Sequence, residues 1–172
     1  ETLPVSRGMW VLAEGSQQVL EDPARVGPLL ETAEELEVTD LFVQVYRGGR
    51  SWYPSQIADD TPYQEALSPE GLDTLELLLN EAHQRGLRVH GWVNVLSLSA
   101  RKQSKILEEL GPDAILVDSR GRSLLDYPDM EVPQPDRQFY RMGTRGLYLD
   151  AGAPGVSERL IATFAELIEL YP

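Results

Sequence analysis

The chain has 172 residues, no cysteine, and 15 basic against 28 acidic side chains, a formal charge of −13. That length is enough for one domain with a sizeable core. The charge argues against nucleic acid and anionic membrane surfaces, which need basic patches. The missing cysteines remove disulfides and thiolate metal sites, and no apolar run approaches the ~18 residues of a membrane span. Glu1 rather than methionine opens the sequence, which fits removal of an export signal or a cut made elsewhere.

In chain order, Arg7 to Glu14 predicts a first strand ending at Glu14 and Gly15. A helix follows from about Pro23 to Glu37, with Leu29, Leu30, Ala33 and Leu36 at helical spacing. Asp40 to Tyr46 predicts a second strand, with Leu41, Val43 and Val45 on one face and Phe42, Gln44 and Tyr46 on the other. It runs into the glycine-containing loop Arg47 to Ser55, where Arg47, Trp52 and Tyr53 are candidate ligand contacts. Ser68-Pro69-Glu70 has the cap, proline and acid of a helix start, and the helix is expected to reach Arg85 and stop at Gly86.

Leu87 to Val95 predicts the third strand. Leu87, Val89, Val93 and Val95 are aliphatic, while the opposite parity carries His90, Trp92 and Asn94. That face requires buried hydrogen bonds or a ligand. Beyond it, Ser99 to Leu110 predicts a short helix, and Ala114–Asp118 with Ser123–Tyr127 a small hairpin through Arg120-Gly121. Residues 126 to 138 read as loop. Leu147 to Asp150 leads to Pro154, which opens a last helix with Val156, Leu160, Ile161, Phe164, Leu167 and Ile168 on one face.

Three strands each followed by a helix predict a right-handed parallel α/β arrangement, with residues 96 to 153 inserted between the third strand and its helix. Such folds build sites where the strands end. The expected site therefore gathers Glu14, Arg47, Tyr53 and Asn94, with Asp150 delivered by the insertion.

Arg7-Gly-Met-Trp10, Phe42 to Ser55, Ala82 to Asn94 and Tyr148 to Pro154 resemble, in order and rough spacing, the bacterial glycosyl-hydrolase-like family 10, a group of carbohydrate-active (β/α)8 barrels. Gly91 and Ala151 stand where the family generally has alanine and proline. The resemblance implies a single N-terminal portion of a TIM-type barrel, about three βα units, because a complete barrel takes ~250 residues. It also implies a carbohydrate partner and a secreted or periplasmic setting. In the family the segment after the last helix is a fourth strand carrying an Asp, so the catalytic carboxylate is expected outside this sequence.

Each candidate has a structural reading beside the functional one. Glycosidases need two carboxyl groups about 5–5.5 or 6.5–9.5 Å apart; Glu14 and Asp150 are the candidates here, although Glu14 also reads as an exposed strand-end acid and Asp150 as a turn or cap residue. His90 either donates to a sugar hydroxyl or, as a core histidine, bonds Gln44 or a backbone carbonyl. Trp10 and Trp92 either stack on a sugar ring or fill the core. Arg47 holds a sugar group or a neighbouring acid, and His83 reads as surface. Asp126, Asp129, Glu131 and Asp136 lack the regular spacing of a calcium loop, so no metal and no cofactor is assigned. Gln44, Arg47, Tyr53, His90, Trp92 and Asn94 are the expected sugar-binding set. Three functions fit: a hydrolase completed by further strands, a carbohydrate-binding module without turnover, and a self-associating half-barrel whose open sheet edges pair in a homodimer.

Overall fold

A computed structural model describes residues 5–67, 71–101, 103–139 and 146–172. Three parallel strands form the centre: β1 (Gly8–Val11), β2 (Asp40–Arg47) and β4 (Arg88–Val93), with β2 in the middle. The short β3 (Arg50–Ser51) folds back antiparallel on the end of β2. Gly48 and Gly49, at φ 62° and 79°, make the two-residue turn between them. Two successive left-handed residues suit a tight hairpin, and glycine adopts that conformation without a Cβ clash.

One face of this sheet is the core. Leu41, Val43, Val45, Val11 and Ala13 are buried against α1 (Val26–Glu35) and α3 (Thr74–Gln84), whose Leu30, Ala33, Leu75, Leu78 and Ala82 interlock with them. Helix α5 (Val156–Leu170) adds Leu167 at its end. The opposite face stands open. Trp10 is 62% exposed, and Arg88 and His90 are exposed beside it. The result is a mixed α/β fold with a parallel sheet covered on one side, and the described strands do not close a barrel.

Several expectations need correction. The first strand is confined to Gly8–Val11, and the first helix begins at Val26 after a 3-10 turn over Pro23–Arg25. The start expected at Ser68-Pro69-Glu70 lies outside the described residues. Helix α3 begins at Thr74, because the Asp73 carboxylate accepts from the free amides of Leu75 and Glu76. A short helix absent from the expectation, α2 (Thr61–Ala66), carries Pro62 in its first turn. The parity of Tyr46 is also reversed. The β2–β4 register slips between Gln44 and Tyr46, so Tyr46 turns to the helix side and meets Phe164 edge-on at 5.2 Å. Burial there pushes its hydroxyl pKa up to about 12.

Residues 96 to 153 hold more structure than the sequence suggests. β5 (Ser97–Ser99) pairs antiparallel with β6 (Leu147–Tyr148), and α4 (Lys105–Leu110) starts six residues later than expected because Ser104 caps it. The hairpin expected over 114–127 is replaced by 3-10 turns at Pro112–Ala114 and Leu124–Asp126, with Asp118 and Arg122 closing the bend. Ile115 bridges instead to Leu149. Leu98, Ile106, Leu107, Ile115, Leu124, Leu147 and Leu149 make a second core with Val156 and Leu160 of α5. Helix α5 thus joins two cores, one at each end. Its buried stripe runs through Val156, Leu160 and Thr163, and Ile161 and Ile168 are each 69% exposed, one step around the helix from the expected face.

Candidate functional site at the strand ends

Polar side chains from all three parallel strands meet where those strands finish. Gln44 is 1% exposed, and its amide is used on both sides. Its Oε1 accepts from the Ala13 backbone N–H at 3.2 Å, and its Nε2 donates to Asn94 Oδ1 at 2.7 Å. The Asn94 backbone N–H donates to Tyr46 O at 3.0 Å. Gln44 therefore fixes the exit of β1 to the exit of β4 across β2. Buried amides need such partners, since an unpaired one costs about 1–3 kcal/mol.

Beside this link lies an ion cluster. Arg47 Nε is 3.2 Å from Glu14 Oε2, and Arg50 pairs with the other carboxylate oxygen. The Arg50 guanidinium also lies 5.2 Å from the centre of the Trp52 ring. Burial lowers its pKa, the Arg101 charge adds to this, and Glu14 opposes both. Arg50 was not among the sequence candidates. The Arg-Gly-Gly-Arg turn was the available signal, because a two-residue hairpin places its flanking residues side by side.

On the open face, Phe42 is stacked between Trp10 and His90, each ring 4.8 Å away, and Trp92 meets Trp10 edge-on at 4.9 Å. Gly8 makes room for this stack, since a Cβ there would come within 2.8 Å of the Phe42 ring. His90 finds its partner in Asp40 Oδ1, at 2.8 Å, rather than in Gln44 or a backbone carbonyl. Asp40 also receives Arg88 through two bonds of 2.7 and 2.6 Å and the Thr39 hydroxyl at 2.6 Å. Arg88, then Thr39 and His90, hold its carboxyl well below the usual carboxylate range. Its place in register with Arg88 and Gly8 depends on strand pairing that single-strand patterns do not carry.

The folded state thus binds the Asp40 proton more weakly than the unfolded chain does. The stabilisation is complete above about pH 4 and is lost as pH falls toward the folded-state value. Asp40→Asn should be less stable than wild type at pH 6, with the gap narrowing below about pH 4. Urea titrations across pH 2.5 to 6 measure it; a gap that stays constant would remove the assignment.

The remaining candidates sit apart from this cluster. Tyr53 is fully enclosed, and its hydroxyl donates to the Thr163 backbone oxygen of α5 at 3.0 Å. Burial pushes its pKa up, with Tyr46 and Glu166 adding to the shift. Asp150 accepts from Gly152 N at 2.8 Å in a local turn, and its own N–H donates to Ala114 O. His83 is exposed on α3. In the acidic loop, Asp136 pairs with Arg120 at 2.7 Å and Arg122 at 3.2 Å, and the Asp126 carboxylate accepts from Ser123 N. No group of three or more metal-ligating side chains is assembled among the described residues, and no described helix is long and apolar enough to cross a membrane.

The glycosyl hydrolase-like 10 profile matches residues 5–172. The glycosyl hydrolase DigH of Escherichia coli K12 is 27% identical over 148 residues, 83% of this chain, and the same enzyme from Shigella flexneri aligns equally. The chain spans about 30% of the length of these relatives. It belongs to the glycosyl hydrolase-like 10 family.

Proposed function

We propose that this chain supplies the first three βα units of a carbohydrate-active (β/α) barrel and, with them, part of its sugar-binding surface. The open face bearing Trp10, Phe42, His90 and Trp92 is then the side that further strands enclose, and the strand ends line the mouth. The observation that carries the reading is the pair of contacts at the C-terminal ends of three parallel strands, Glu14 with Arg47, and Gln44 with both Asn94 and the Ala13 backbone N–H. That is where parallel α/β folds place their ligands. Trp92 supplies an apolar ring surface, and Arg47 and Asn94 supply donors to sugar oxygens.

Glu14 and Asp150 remain the carboxylates of this sequence nearest to a catalytic role. Both already have partners, two arginines for Glu14 and a turn amide for Asp150. These contacts favour a reacting carboxylate contributed from beyond this sequence, with Glu14 holding Arg47 and Arg50 in place. Calorimetric titration of the chain with a panel of oligosaccharides tests the proposal. Binding should weaken about tenfold or more in Trp92→Ala, at unchanged far-UV circular dichroism. Equal affinity in the variant would refute the assignment. Release of reducing ends by the isolated chain, abolished in Glu14→Gln or Asp150→Asn, would return the catalytic role to those residues.

A further inference from the structure

We infer that Ser99 is a positioning residue: held in a left-handed conformation between Gly146 and Gly48, it passes the placement of β5 and β6 to the Arg47–Arg50 turn, and so sets the two arginines that pair with Glu14. Ser97 pairs with Tyr148 and Ser99 with Leu147, so β5 carries one residue more than β6 over that span. The bulge leaves Ser99 at φ 56°, a conformation that is open to glycine and disfavoured for a serine. The Ser97 hydroxyl accepts from the Ser99 N–H at 3.3 Å, and the buried Leu98 roots the bulge in the second core. Strain of this kind persists only where the surroundings enforce it.

Those surroundings are glycines. A Cβ on Gly48 would lie 3.3 Å from Ser99 Oγ, and one on Gly49 would lie 3.2 Å from Leu98 Cδ2. Two successive residues of β5 therefore rest on the bare faces of the two turn glycines. The turn itself already requires those two. Gly146 is different: it has no left-handed φ, yet a Cβ there would come within 2.9 Å of Ser99 O and 3.1 Å of Ser99 Cα. What its missing side chain serves is the close approach of Ser99. The serine is thus pressed by backbone on one side and rests its own side chain on the turn on the other. A glycine at this position would remove the strain, and with it the Cβ and Oγ that meet Gly48. Two residues on, the Arg101 charge acts on Arg50, so the same bulge brings a third cation to the Glu14 cluster.

This rests on the reading of the strand ends given above, and the two fail differently. Ser99→Gly relieves the strain and removes the contact, so stability and site should move in opposite directions. Its urea midpoint should equal or exceed that of wild type. The Nε–H protons of Arg47 and Arg50, followed by NMR without ligand, should meanwhile exchange with water at least about fivefold faster. Unchanged exchange would overturn the inference, and so would a fall in stability large enough to account for faster exchange. Gly146→Ala alters neither the turn nor an arginine, and it should shift the same two resonances. Resonances left in place in a folded Gly146→Ala chain would also overturn the inference; if that chain does not fold, Ser99→Gly decides alone. Titration with cellotetraose and chitotetraose then reads the site, and affinity for whichever sugar binds wild type should fall about tenfold in Ser99→Gly. Undiminished affinity beside loosened arginines would overturn the positioning role. Binding of neither sugar by wild type, with the arginine response intact, would overturn the saccharide reading and leave the coupling of β5 to the turn standing.

Discussion

Leu41→Ala should lower the unfolding free energy by about 2–5 kcal/mol, whereas Trp10→Ala should cost no more than about 1.5 kcal/mol. The two residues sit one step apart in the strand register yet on opposite faces of the sheet. Leu41 is fully buried near the start of the middle strand, with helices over it. Its truncation leaves a cavity between the helices α1 and α3 and the two flanking strands, so little collapse is available. Trp10 is the larger side chain, but it is 62% exposed, and what it loses is mainly its ring contacts with Phe42 and Trp92. Urea denaturation measures both, with an unchanged m-value as the sign that the unfolded state is the same. A Trp10 variant as damaged as the Leu41 variant would mean that the aromatic face is covered in solution.

That contrast also shows where the sequence was informative. Alternation of side chains along Asp40 to Gln44 and Leu87 to Val93 separates the two faces correctly, because a single strand already fixes which residues point the same way. It fails at Tyr46, where a bulge inserts one residue and reverses the parity. Nothing in the local pattern marks that slip. Glu14, Arg47 and Asn94 were legible as residues at strand ends, since parallel strands bring their C-terminal residues together, whereas Gln44 was expected to meet His90 and bonds Asn94 instead. The Asp40 contacts with Arg88 and His90 were not legible, because they depend on register between strands 48 and 50 residues apart. Segment 96–153 was hardest to read. Its strands are two or three residues long and the helical pieces that Ser104 and Ser123 cap span only six and three residues, so no period accumulates over a useful window.

Tyr53 carries the other large effect, and it separates holding the site from touching its ligand. Tyr53→Ala should cost about 3–5 kcal/mol, because the ring is enclosed between the β-sheet core and α5. Tyr53→Phe should cost only about 0.5–1.5 kcal/mol, the net worth of its bond to Thr163 O. The ring anchors the segment that leaves the Arg47–Arg50 turn: Ser51 Oγ donates to the Tyr53 carbonyl, and the neighbouring Ser55 hydroxyl and Gln56 N–H both go to Glu166 of α5. Releasing the anchor loosens Arg47 and Arg50 together, so glycan affinity in Tyr53→Ala should fall in step with stability. A direct sugar contact through the hydroxyl predicts otherwise, since Tyr53→Phe would then weaken binding about tenfold with little change in folding. Matched denaturation and titration of the two variants decide between these outcomes. An affinity for Tyr53→Phe within about twofold of wild type is the expected result, because a hydroxyl already spent on the backbone of α5 has no proton to offer a ligand.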